Sequence, residues 1–224
     1  TSSNFGNMFS AAAASALLPF LPMLPSQILL NNLLYDSSQL AIPTDNADPE
    51  QLHAPAHWNI AFIRRFMLTF GPISSLFDFV TFGLMLGVLH AGATEFRTGW
   101  FVESLATQTL IIFAIRTRRI PFFRSRPSAA LTAATFAVIA IGILLTVSPL
   151  AGDLGFTPLP WQFFAALAAL TVAYLVLVEV TKKVFYADPM HLGDAPHRTR
   201  GHAHRVHRRA ARFTQGRRLV SSPA

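Results

Sequence analysis

The chain has 224 residues, of which 52% are hydrophobic and only 13% charged, with a formal net charge of +7. A soluble domain carries about a quarter charged residues; here long runs hold no charge, so the composition points to a membrane protein. Cysteine is absent, which excludes a disulfide framework and any thiolate metal site.

The mean hydropathy is +0.41 and the pI is near 11.0. The basic excess sits at the ends of apolar runs and in the last 30 residues, not on a folded basic face. Nucleic acid is therefore not expected as a partner. The first residue is Thr1, and no basic-then-apolar leader precedes it, so the chain is expected to belong to something longer.

Six apolar spans follow in chain order, at about residues 4–18, 25–42, 62–90, 99–115, 129–147 and 161–185. Each is near the roughly 20 residues that cross a bilayer core. The expected fold is all-α, a polytopic membrane bundle of six transmembrane helices. Between the first two spans lies "LLPFLPMLP". Its three prolines remove backbone donors, which makes a tight connection and predicts antiparallel neighbours. Residues 1–186 form the membrane domain in this reading, and 187–224, rich in Arg and His, a disordered cytoplasmic tail.

Basic residues orient the bundle. With the N-terminus inside, Arg64, Arg65, Arg116, Arg118, Arg119, Arg124, Arg126, Lys182 and Lys183 all fall on the cytoplasmic side, against Arg97 alone outside. Trp100 and Trp161 then stand at outer-facing span starts, where indole rings favour the interface. The tail, with five histidines among its arginines, is expected to meet anionic lipid at about 1 kcal/mol per basic residue near the surface.

The second span carries polar groups that hydrocarbon does not welcome. Asn32 and Asp36 are one turn apart on one helical face, with Gln39 just beyond. A carboxylate at the bilayer centre costs about 2.5–3.5 kcal/mol on insertion scales, and a bound cation offsets that cost. Asn4 and Asn7 share a face of the first span, beside Gly6, which admits a close helix. Asn4, Asn7, Asn32 and Asp36 are hard oxygen donors with one carboxylate among them. That set suits Mg²⁺, which keeps waters, better than Ca²⁺, which needs more direct ligands.

The other intramembrane polar groups are read more plainly. Asn31 bonds to a neighbouring helix. Asp78 is either a second site or the partner of a Ser or Thr. Glu103 is an interfacial acid, Gln108 lies mid-span, and Glu179 pairs with Lys182 or Lys183 by snorkelling. No phosphate-binding glycine loop and no Ser-His-Asp set is present.

"SSNFGN" and "LPMLPSQILLNNLLYDSSQLAIPTDNAD" resemble the fifth and sixth transmembrane helices of P-type cation-transporting ATPases, above all the bacterial magnesium transporters. "RFMLTFGPISSLFDFVTFG", "GWFVESLATQTLIIFAIRTRRIPFFRSR" and the two spans after them resemble the last four helices of the same transporters. The resemblance covers about residues 1–186 and leaves the tail unmatched. It implies an ion site to which Asn4 and Asn7 come from the fifth helix, and Asn32 and Asp36 from the sixth. Where the related calcium pumps carry an acid, this chain has Asn7. It also implies Mg²⁺ import across a bacterial plasma membrane. ATP and the phosphorylated aspartate would belong to upstream domains, which with the first four helices are this chain's partners alongside membrane lipid. Two other expectations stand beside it: a pump for another divalent cation, and a non-catalytic membrane module acting through its basic tail.

Overall fold

The computed structural model describes residues 2–46, 60–117 and 125–187. The tail from 188 on, most of the 44–59 loop, and Arg118, Arg119 and Arg124 lie outside the described residues. Within them every regular element is helical: α1 (Ser2–Leu17), α2 (Pro25–Gln39), a 3-10 turn at Ile42–Thr44, α3 (Ile60–Gly83) running into a π-turn at Leu84–Val88, α4 (Ala93–Ile115), α5 (Ala129–Val147) and α6 (Trp161–Ala187). Four stretches are long and apolar enough to cross a membrane: Ile63–Val88, Ala93–Ile115, Ala129–Val147 and Trp161–Phe185. α1 and α2, at 16 and 15 residues, fall short of the usual crossing length.

Local chemistry sets the helix ends. α1 stops before Pro19, and Pro25 opens α2, where its missing N–H costs nothing. Gln27 Oε1 accepts from Leu24 N at 3.0 Å, and Gln27 Nε2 donates to the carbonyls of Leu154 and Gly155, both at 3.0 Å. One amide thus caps α2 and ties it to the loop after α5. His90, at φ 49°, turns left-handed and ends the π-turn. Ser128 caps α5 by accepting from Leu131 N at 3.1 Å.

α4 is the axis of the bundle. From Phe96 to Ala114 nearly every residue is buried, whereas α5 and α6 each keep one apolar side exposed. α3 and α5 pack against it directly, and α2 packs against both α4 and α5. α1 lies mainly along α3. Gly6 makes that approach possible, since a Cβ there would stand 2.7 Å from Gly71 O and 2.9 Å from Ser74 Cβ. The hydroxyls of Ser10 and Ser75 both donate to Gly6 O, at 3.1 and 3.0 Å. α6 joins through Tyr174 on Phe77, rings 5.2 Å apart, and through Phe163 beside Gly99.

Four expectations change. α1 and α2 do not pack along one another; they share α4 as a neighbour. The Gly6–Gly71 approach draws α1 to α3, and Gln27 draws α2 towards the loop after α5. The fourth helix begins at Ala93, not at 99. Arg97 does not break it, because its Nε donates to Leu21 O at 2.8 Å and its guanidinium covers the Phe20 ring. The second helix ends at Gln39 rather than 42, and Pro43 lies in the separate 3-10 turn. Trp161 is 74% exposed, but Trp100 is 2% exposed and sits in the core against Phe82, with centroids 4.9 Å apart.

The bundle is also tied at its ends. At one end Thr157 N donates to Thr98 Oγ1 at 3.1 Å. At the other, Asp45 accepts from Arg116 Nη1 at 2.6 Å and from Ser128 N at 2.8 Å. Arg116 Nη2 donates to Ser125 O at 2.8 Å.

Candidate cation site among buried carboxamides

Ser104 sits on α4 where α1 and α2 both reach it. Asn31 Nδ2 donates to its Oγ at 2.9 Å and Gln108 Nε2 at 2.7 Å, and the Asn7 amide lies in close contact with the same oxygen. Gln108 is one turn beyond Ser104 on the same face. A hydroxyl donates once and accepts twice. At least one of the three amides must therefore turn its oxygen to the Ser104 proton. The hub is then saturated and pins three helices at one depth.

Around it lie oxygens with no donor. Asn4 Oδ1, Asn7 Oδ1, Asn31 Oδ1 and Gln108 Oε1 are buried and have no hydrogen-bond partner among the described residues. Orphaned buried acceptors are uncommon, because each forfeits its solvation. With one of them turned to the Ser104 proton, the remaining carboxamide oxygens still come from at least two helices and form a set of hard neutral donors suited to a desolvated cation. No group of three His, Cys, Asp or Glu residues placed to hold a metal ion occurs among the described residues; the donors gathered here are carboxamide oxygens.

The expected ligands divide. Asn7 joins the Ser104 cluster, and Asn4 offers a buried oxygen one turn away. Asn32 and Asp36 do not join them: both are exposed, while α2 buries Gln27, Asn31, Tyr35 and Ser38. The two stripes are neighbours, since successive helix positions turn by about 100°. The Asn32–Asp36 edge therefore runs beside the cluster rather than into it.

Two acids are buried in the interior. Glu103 is 1% exposed, so it is no interfacial acid. With α4 beginning at Ala93 it lies three turns inside the helix. Asp78 is also 1% exposed, and its Oδ1 accepts the Trp100 indole N–H at 3.1 Å. The Glu179–Lys182 pair forms at 3.0 Å, but it does not snorkel. Lys182 is buried and its Nζ donates to Ala114 O at 2.6 Å, closing the carboxyl end of α4. Ser104 and Gln108 carried a signal in their one-turn spacing within an apolar run; their partners on α1 and α2 did not show in sequence.

An all-helical bundle with apolar outer faces and buried carboxamide oxygens is the architecture of a membrane cation-handling domain. The chain belongs to the family described as "Cation transporting ATPase, C-terminus", whose model matches residues 20–184. It is 52% identical over 185 residues to "Magnesium-transporting ATPase, P-type 1" of Salmonella typhimurium strain LT2, covering 81% of this chain and 20% of that protein. The same figures, with 21% of the relative covered, hold for the protein of that name in Escherichia coli strain K12. A second Salmonella typhimurium LT2 protein of the same description is 44% identical over 188 residues, 82% of this chain and 21% of its own length. The chain thus spans about a fifth of the length of the curated relatives it matches.

Proposed function

We propose that the chain is the ion-translocating membrane portion of a P-type pump that moves Mg²⁺ into a bacterial cell. The observation that carries this reading is the buried oxygen set of Asn4, Asn7, Asn31 and Gln108, lying within a chain about half identical to proteins described as magnesium-transporting. Mg²⁺ fits such a set. It accepts hard oxygens, holds on to several waters and needs only one or two carboxylates.

Asp36 supplies the charge in this account, with Asn32, Asn7 and Asn4 as carboxamide ligands. The Asn32–Asp36 edge faces the remainder of the pump, including the four helices expected upstream, so the ion lies between this chain and that remainder. ATP is bound and hydrolysed by that remainder as well. All six helices cross the inner membrane, the two short ones completed by packing against the rest of the pump. Both ends of the chain face the cytoplasm, as the excess of basic residues there favours.

The test is cation uptake by membrane vesicles holding the full-length pump, energised with ATP. Mg²⁺ flux that Ca²⁺ does not replace is expected. Flux of Ca²⁺ or of a transition metal in preference to Mg²⁺ would move the chain to a pump for another divalent cation. ATP-independent behaviour with no flux at all would favour a non-catalytic membrane module.

A further inference from the structure

Asp78 on α3 and Glu103 on α4 are both buried in the interior, and neither is among the ligands proposed above. Asp78 Oδ1 is occupied by the Trp100 indole N–H. Asp78 Oδ2 and Glu103 Oε2 are fully buried and have no donor among the described residues. Glu103 lies one turn beyond Trp100 on the same face of α4, which carries its carboxyl to the side where Asp78 sits. The Ser10 hydroxyl gives its one proton to Gly6 O.

No cation answers this pair among the described residues. α1 and α5 carry no titratable side chain, and α2 offers only Tyr35 and Asp36. On α3, Arg64 and Arg65 stand at least three turns before Asp78. On α4, Glu95 and Arg97 lie near the start, with Arg97 bound to Leu21 O, and Arg116 at the far end is bound to Asp45. On α6, Lys182 is held by Ala114 O and Glu179, Lys183 is exposed, and Tyr174 packs on Phe77.

Two ionised carboxylates close together, desolvated and unpaired, repel each other strongly. A single proton placed between them removes one charge, gives both orphaned oxygens a hydrogen bond and makes that bond a short charge-assisted one. We propose that Asp78 and Glu103 form a one-proton site: a shared proton held between Asp78 Oδ2 and Glu103 Oε2, with Trp100 steadying the other oxygen of Asp78. The pair then carries one negative charge rather than two. Glu103 adjoins Ser104 in the chain, so gain or loss of this proton changes the charge beside the carboxamide cluster by one unit. The proposal rests on the geometry of the two acids and stands whichever cation the protein moves.

Infrared difference spectroscopy on the full-length protein tests it, at a pH where ordinary carboxylates are ionised. Asp78→Asn and Glu103→Gln each keep the side-chain shape and put an amide N–H where the proton was. Each single variant is expected to lose the same protonated-carboxyl C=O band, and the double variant to lose nothing more. In the unaltered protein that band should shift on transfer to D₂O, which keeps the test intact if one variant fails to assemble. Two separate bands lost additively overturn the proposal, as does the absence of any protonated-carboxyl band in the unaltered protein.

Discussion

Ser104 has one hydroxyl proton and two lone pairs, and three carboxamides compete for them. Ser104→Ala removes the shared partner and strands groups that remain buried. The expected cost is about 1–3 kcal/mol, read as a lowered unfolding midpoint in detergent. A midpoint equal to the unaltered protein's would show that the three amides satisfy one another without the serine. Trp100→Phe keeps the packing on Phe82 but removes the indole donor to Asp78, and a smaller loss, about 1 kcal/mol, is expected from the same measurement. Little of this was legible in sequence. The spacing of Asn4 and Asn7, or of Asn32 and Asp36, shows which residues share a face. It does not show which face is buried: Asn31 and Tyr35 point inward, and Asn32 and Asp36, one position on, do not. Glu103 lies deeper than its sequence context suggests for a related reason, since Glu95 and Arg97 fall inside the first turns of α4 rather than before it.

At the scale of elements, apolar runs locate helices well and their partners poorly. The span expected at 129–147 coincides with α5, since no charged residue interrupts it and Ser128 caps it. The pairing of α1 with α2 failed because a short proline-rich link limits distance, while glycine decides contact. Gly6→Ala is the direct test. Its Cβ would stand 2.7 Å from a backbone oxygen of α3 that cannot swing aside. Forcing α1 off α3 is expected to cost about 1–3 kcal/mol, measured by thermal or denaturant unfolding in detergent. Gly87→Ala is the control, for nothing lies within 4 Å of its would-be Cβ. Equal effects of the two substitutions would mean that α1 is not held by close approach.

For the molecule as a whole, the membrane class and the family could be read from composition and from the runs "NNLLYD" and "QTLI…IRTRRIPF", and the helical architecture agrees. The number of crossings is less direct, since α1 and α2 are too short to cross by length alone. The absence of cysteine makes labelling of single introduced cysteines clean in this part of the protein. Thr44 and Asp153 are on opposite ends of the bundle; Thr44 is exposed after α2, and Asp153 is exposed in the loop between α5 and α6. Thr44→Cys should react only from the cytoplasmic side and Asp153→Cys only from outside. The reverse pattern would invert the orientation, and labelling of both from one face would remove a crossing. The central claim is that Asp36 is the charged ligand of a transported Mg²⁺. Asp36→Asn keeps a carbonyl oxygen and the side-chain shape but removes the charge, and insertion becomes easier, not harder. In the full-length pump, tested by Mg²⁺-dependent growth of a transport-deficient host with membrane expression confirmed, Asp36→Asn is expected to abolish rescue and Asn32→Ala to weaken it; full rescue by Asp36→Asn would contradict the account.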